Sequence, residues 1–152
     1  MIVYADASAL VKRYVTEAGS NEVIALTSTA MAVGTAVVSR TEVAAALARA
    51  VRMGVVDDEG GRRAQRRFSR EWPDFARVAV TEALVARAET LAWDYGLRGC
   101  DAVQLAAAAT WRESVREDVV LATYDRELWK AAPEVGLEAW PKQLPGDIGT
   151  GR

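Results

Sequence analysis

Ile2-Val3-Tyr4-Ala5 is an unbroken apolar run ended by Asp6. A run this short, with no polar alternation, reads as a strand buried on both faces. Apolar positions then recur with a helical period at Leu10, Val11, Tyr14 and Val15, which predicts a helix over 7–15. Gly19-Ser20-Asn21 breaks it, and Ser20 is expected to cap a short helix reaching about Leu26. Thr35–Val38 predicts a second strand. Ser39-Arg40-Thr41-Glu42 has the spacing of a capping box and precedes an alanine-rich helix to about Met53, closed at Gly54. Asp57 and Asp58 open a helix that runs through an arginine cluster to about Glu71, where Pro73 stops it.

The second half repeats this alternation. Phe75–Val80 reads as a strand, and Thr81 opens a helix to Tyr95 that Gly96 closes. A further helix is expected from Asp101 to about Glu113, then a strand at Val119–Ala122, a short helix over 126–132 and an edge strand at Leu137–Ala139. From Trp140 the chain is rich in Pro and Gly and is expected to fray, which predicts one domain over 1–139 and a tail over 140–152. Short strands alternating with helices predict an α/β fold of three layers, with a mostly parallel central sheet flanked by helices.

Composition narrows the chemistry. The chain has 152 residues and a net charge of −2, with no histidine and one cysteine, Cys100. Catalysis by a His base, a Ser-His-Asp triad, an intrachain disulfide and a cysteine-based zinc site are all closed to the chain acting alone. Any metal must be held by oxygen, which favours Mg²⁺ or Mn²⁺. No apolar run approaches a membrane span of about 20 residues, and the opening residues lack the basic region of a signal peptide, so a cytoplasmic protein is expected. The near-neutral balance gives no global basic footprint for nucleic acid.

Ligands of open parallel sheets bind at the carboxyl ends of the strands. Four carboxylates are expected there: Asp6 after the first strand, Glu42 in the first turn of the helix after the second, Asp101 at a helix start, and Asp125 just after strand 119–122. Each alone has a plain reading as a helix cap: Ser39 with Glu42, or Asp101 with Gln104, is a capping-box pattern. Together they are costly, because neighbouring carboxylates raise one another's pKa, and a divalent cation removes that cost. Such a cation can promote phosphoryl transfer without a protein nucleophile. Position and residue type leave both a phosphodiesterase and a phosphatase open.

The residues also carry a resemblance. Asp6-Ala7-Ser8-Ala9-Leu10-Val11-Lys12, Ser39-x-x-Glu42, Cys100-Asp101-Ala102-Val103-Gln104-Leu105-Ala106 and Leu121-Ala122-Thr123-Tyr124-Asp125-Arg126-Glu127-Leu128 together resemble the four ordered motifs of PIN-domain ribonucleases. Within that family they resemble the VapC-type toxins of bacterial toxin–antitoxin pairs, over residues 1 to about 139. The resemblance implies a PIN-like fold and a Mg²⁺ site formed by Asp6, Glu42, Asp101 and Asp125, with Ser8 and Thr123 as additional site residues. It further implies an RNA substrate, a small antitoxin partner and a homodimer. One departure is Gln104, where the third motif often carries histidine. Two competing readings are a catalytically silent PIN-like adaptor, which the presence of all four acids disfavours, and a small-molecule phosphatase. A phosphatase with an aspartyl nucleophile needs Asp-x-Asp after the first strand, where this chain has Ser8.

The remaining features point less sharply. Arg62, Arg63, Arg66, Arg67 and Arg70 fall along one helical side, suited either to RNA phosphates or to simple solvation. Trp93, Trp111 and Trp129 are expected as core or interface anchors, and Cys100 as a small buried hydrophobe. Gly149-Thr150-Gly151 has neither the strand before it nor the helix after it that a phosphate loop requires.

Overall fold

The computed structural model describes residues 1–146. Its five strands are β1 (Ile2–Ala5), β2 (Ala32–Ala36), β3 (Ala76–Val78), β4 (Val119–Ala122) and β5 (Glu138–Trp140). They form one sheet in the order β3-β2-β1-β4-β5, and every pairing is parallel. The helices are α1 (Ala7–Leu10), α2 (Ser20–Thr29), α3 (Ser39–Arg52), α4 (Asp58–Glu71), α5 (Glu82–Tyr95), α6 (Gly99–Val115) and α7 (Arg126–Ala131).

Side chains on a strand alternate between faces, so β1 serves two cores. Tyr4 points into one with Leu105, Leu121 and Leu128, beneath α5, α6 and α7. Val3 and Ala5 point into the other with Leu10, Val43, Leu47 and Phe68, beneath α1, α3 and α4. This is the expected three-layer α/β architecture. Gly34 in β2 is required by packing: the Trp111 ring lies where its Cβ would be.

The strand order locates the site. From β1 the chain winds outward through β2 and β3, then returns to β4 on the other side of β1. The order therefore reverses between β1 and β4, which pair from Ile2↔Val119 to Ala5↔Ala122. In an open parallel sheet that switch point leaves a crevice at the strands' carboxyl ends. Asp6 and Thr123 are the next residues out of these two strands.

Several boundaries differ from expectation. The helix expected over 7–15 is α1, followed by a 3₁₀ turn over Val11–Arg13. Ser20 does not cap α2. Gly19, at φ 88°, takes that position, while the Ser20 hydroxyl bonds the Val15 carbonyl at 3.0 Å and accepts from the Glu17 N–H at 3.0 Å. β2 lies earlier than Thr35–Val38, because Val37 and Val38 already turn into α3. β5 extends to Trp140, and beyond it the Trp129 indole donates to the Pro141 carbonyl at 2.7 Å and Leu144 is buried. Trp140, Pro141 and Leu144 are thus partly or fully buried where fraying was expected, while Lys142 and Gln143 are exposed. Cys100 is exposed, next to the exposed Arg98 and Gly99 where α6 begins. Trp111 joins the core and Trp129 is part-buried, but Trp93 is 89% exposed on α5. The Gly149-Thr150-Gly151 segment lies outside the described residues.

Candidate functional site

Asp6 sits where β1 ends and caps α1, its Oδ1 accepting from the Ala9 N–H at 3.0 Å. Ser8 donates to the same oxygen at 2.7 Å, and Thr123, from the end of β4, donates to Oδ2 at 2.7 Å. Both oxygens are therefore fixed, in a carboxylate only 4% exposed. Burial raises its pKa to about 6, against the lowering effect of these three donors, and the Glu42 charge adds to the rise. Ser8 also accepts from the Tyr124 N–H at 2.8 Å, tying the β1 and β4 turns together.

Glu42 lies in the first turn of α3, but the capping box does not form. The cap residue is Val38, and no side chain caps the helix. Ser39 is wholly buried and its Oγ stands 2.7 Å from Thr35 Oγ1. The side-chain amide of Gln104, on α6, donates to Ser39 Oγ at 2.9 Å and to Glu42 Oε1 at 2.8 Å. Partial burial raises the Glu42 pKa, the Gln104 bond opposes the rise, and the Asp101 charge adds to it.

Asp101 is the third residue of α6, whose cap position is Arg98 with no side-chain cap bond, so the Asp101–Gln104 capping box also fails to form. Arg98 instead donates from Nε to Asp101 Oδ2 at 2.9 Å and from its NH2 group to Asp125 Oδ2 at 3.0 Å. Burial raises the Asp101 pKa, Arg98 lowers it, and the Asp125 charge raises it. Asp125 does cap its helix, accepting from the Leu128 N–H at 2.9 Å.

The four acids thus form an electrostatic series: Asp6 feels Glu42, Glu42 feels Asp101, and Asp101 feels Asp125. As the side chains stand, no three metal-binding residues converge on one point among the described residues. Asp101 and Asp125 are drawn to Arg98, and Glu42 to Gln104. The donor set nonetheless fits a hard divalent cation. It is all oxygen and anionic, and the buried Asp6 carboxylate is fixed only by neutral donors.

Sequence reasoning missed Gln104 and Arg98 as parts of this site. Gln104 had one signal, a polar residue one turn beyond Asp101 in an otherwise apolar stretch of α6. Arg98 had none, being an exposed cation in an arginine-rich chain. The arginines of α4 are largely committed to their own helix: Arg62 pairs with Asp58 at 2.8 Å, Arg66 with Glu59 at 2.9 Å and Arg67 with Glu71 at 2.8 Å. A broad recess of about 660 Å³ lies elsewhere, lined by Glu89, Thr90, Ala92, Trp93 and Asp94 of α5. None of the four acids is among these lining residues. No helix among the described residues is long and apolar enough to cross a membrane.

Known proteins supply the family. The chain is 35% identical over 143 residues to Ribonuclease VapC45 and to Ribonuclease VapC49, both of Mycobacterium tuberculosis, covering 94% of this chain and 97% of each relative. Among solved structures, a toxin–antitoxin complex from Klebsiella pneumoniae superposes with a TM-score of 0.63 at 16% identity, covering 86% of this chain and 92% of that one. VapBC2 from Rickettsia felis, bound to a DNA fragment from its promoter, gives 0.63 at 11% identity, covering 92% and 99%. These two likenesses concern the fold. The PIN domain family matches residues 3–134, a span that takes in all of β1 but Ile2, all of β4 and the four acids, and the chain belongs to that family.

Proposed function

We propose that this protein is a divalent-metal-dependent endoribonuclease, using Mg²⁺ or Mn²⁺, and the toxin of a toxin–antitoxin pair acting in the cytoplasm. The observation that carries the reading is the series of four carboxylates, Asp6, Glu42, Asp101 and Asp125, contributed by four separate elements to one sheet edge at the switch point. The 35% identity to two ribonucleases over 94% of the chain supports the reaction, and the fold shared with toxin–antitoxin complexes supports the partner.

In this reading Asp6, Glu42, Asp101 and Asp125 hold the ion. A bound divalent cation would supply positive charge at the scissile phosphate and lower the pKa of water near it. Ser8 and Thr123 lock the Asp6 carboxylate in one orientation, so little reorganisation is needed when the ion arrives. With an ion held by Asp101 and Asp125, Arg98 would be free of its two carboxylate bonds, and its guanidinium would suit an RNA phosphate nearby.

The antitoxin is expected to block the same edge with a basic side chain, most simply an arginine, bonded among the four carboxylates. Its remaining segment would lie over 7–15 and 41–53. Arg98 already shows how a guanidinium sits between two of these acids. The protein is further proposed to act as a homodimer. The decisive experiment is cleavage of RNA by the purified chain with Mg²⁺, and its loss with EDTA. Failure to cleave under any divalent cation would overturn the enzymatic reading and leave a silent binding protein.

A further inference from the structure

Gln104 is 1% exposed and makes three side-chain hydrogen bonds. The Tyr4 hydroxyl donates to its Oε1 at 2.6 Å, and its Nε2 donates to Ser39 Oγ and to Glu42 Oε1. The amide's orientation is settled by proton accounting. Turned over, Oε1 would face the Glu42 carboxylate with no proton between them. The chain of bonds continues: Thr35 Oγ1 stands 2.7 Å from Ser39 Oγ and 2.7 Å from the carbonyl of Ala5, the residue before Asp6. Tyr4, Thr35 and Ser39 are all fully buried.

This network ties together β1, β2, α3 and α6, the elements that carry or adjoin Asp6, Glu42 and Asp101. A purely structural account explains it poorly. Apolar side chains of similar volume would fill the same space without desolvating four polar groups. Moreover, α3 gives up its side-chain cap, because Ser39 turns inward to Gln104 although the Ser39–Glu42 spacing would allow a capping box. Local helix stability is forgone for a long-range bond that ends on the Glu42 carboxylate.

We propose that Gln104 is a positioning residue: its side-chain amide, held by Tyr4 and Ser39, sets the direction in which Glu42 presents its carboxylate to a divalent cation. The inference rests on reading this edge as a metal site. It requires a donor at Nε2, so neither a carboxylate nor an apolar side chain of the same length can replace the amide.

The test uses the full chain with Mg²⁺ alone as probe. In wild-type protein labelled with ¹⁵N at glutamine, the Gln104 side-chain amide pair should exchange slowly with solvent and shift on titration with Mg²⁺, a measurement that needs no variant. Gln104→Met should raise half-saturating Mg²⁺, read from the melting shift, by roughly 10- to 100-fold, the range typical of groups that orient metal ligands. In cleavage assays its KM for RNA at saturating Mg²⁺ should stay unchanged. Gln104→Glu should be worse than Gln104→Met, because it sets a carboxylate against Glu42. Tyr4→Phe keeps the bond to Glu42 and should fall between wild type and Gln104→Met. A Gln104 amide pair indifferent to Mg²⁺, or a folded Gln104→Met with the wild-type Mg²⁺ response, overturns the proposal and leaves the metal site standing. A wild-type chain that binds no divalent cation overturns the metal site itself.

Discussion

Asp6 and Glu71 are both carboxylates withdrawn from water, and the protein treats them in opposite ways. Around Glu71 it places cations and donors. The Tyr14 hydroxyl donates to Oε2 at 2.8 Å, Arg67 to Oε1 at 2.8 Å and Arg13 to Oε2 at 3.2 Å. Partial burial pushes the Glu71 pKa up, but these bonds and charges outweigh it and the pKa is lowered. Asp6 is buried with only neutral donors around it; burial lifts its pKa to about 6 against those donors, and the Glu42 charge adds to the rise. A carboxylate that serves the fold is paid for on the spot by cations. One that is buried without a cation carries a desolvation cost, with some repulsion from its neighbour, that a bound cation can relieve, and such a perturbed carboxylate marks a candidate functional site.

The largest expected effect breaks the comparison at Asp6. Asp6→Asn keeps the shape, and its amide can turn toward Thr123, whose hydroxyl can then accept. RNA cleavage should fall by at least about 10²-fold, since a metal ligand matters no less than the groups that orient one. Glu71→Gln should leave cleavage near wild type. Its amide would face guanidinium donors, and the loss of charge-assisted bonds should cost about 1–2 kcal/mol, lowering Tm by roughly 2–8 °C for a chain of this size. Activity lost in Glu71→Gln and kept in Asp6→Asn would reverse the assignment of the two regions.

Next in size is the response to metal. Only the folded state gathers the four acids, so Mg²⁺ should raise Tm in wild type. Without metal, Asp101→Asn should be no less stable than wild type, and it should gain clearly less from Mg²⁺. An equal gain would remove Asp101 from the ligand set. Glu71→Gln should gain as much as wild type, from a lower starting point.

Acid and base should separate the regions further. A carboxyl whose folded pKa exceeds its unfolded value contributes stability that is fully present below the unfolded value of 3.8 and lost as pH rises through about 6. For Asp6 the loss is roughly 2–3 kcal/mol in metal-free protein. Glu71, with its pKa lowered, contributes stability that is present above the unfolded value of 4.5 and lost as pH falls through the folded one. Melting curves of metal-free Asp6→Asn should therefore lack the loss between pH 4 and 7, and those of Glu71→Gln should lack part of the loss below pH 4.5. Identical pH profiles for wild type and Asp6→Asn would mean that Asp6 carries no such cost.

How much of this was legible in the sequence depended on how local each signal was. β1 and β4 match expectation residue for residue, because strands buried on both faces are written as unbroken apolar runs between polar ends. Asp125 caps its helix as a residue in that position should. Ser39-x-x-Glu42 misled, since one pattern serves a capping box and a site, and the choice is made by Gln104, 62 residues away from Glu42 along the chain. Nor could the arginine-rich α4 reveal that its own Arg67–Glu71 pair is joined by Tyr14 and Arg13, because those contacts form only once α4 packs beside the turn after α1.

The smallest expected effect concerns Arg98, the one place where the acidic edge borrows the arrangement seen at Glu71. Its guanidinium bonds Asp101 and Asp125 but is 79% exposed, so water and salt compete for it. Arg98→Ala should leave the metal-free Tm within about 2 °C of wild type. Its effect on metal should be clearer. Arg98 and a divalent cation both claim Asp101 and Asp125, so removing the competitor should lower half-saturating Mg²⁺ by roughly two- to fivefold, the scale of an exposed ion pair. The difference should shrink as added salt screens Arg98 in the wild type. If Arg98 also meets the RNA phosphate, KM for RNA should rise even as less Mg²⁺ is needed. Arg98→Lys should restore the competition in part but not the RNA contact, because lysine has no planar fork to bond two oxygens at once. Should Arg98→Ala need more Mg²⁺ than wild type, the guanidinium would be organising the two carboxylates for the ion, and the acidic edge would resemble Glu71 more than Asp6.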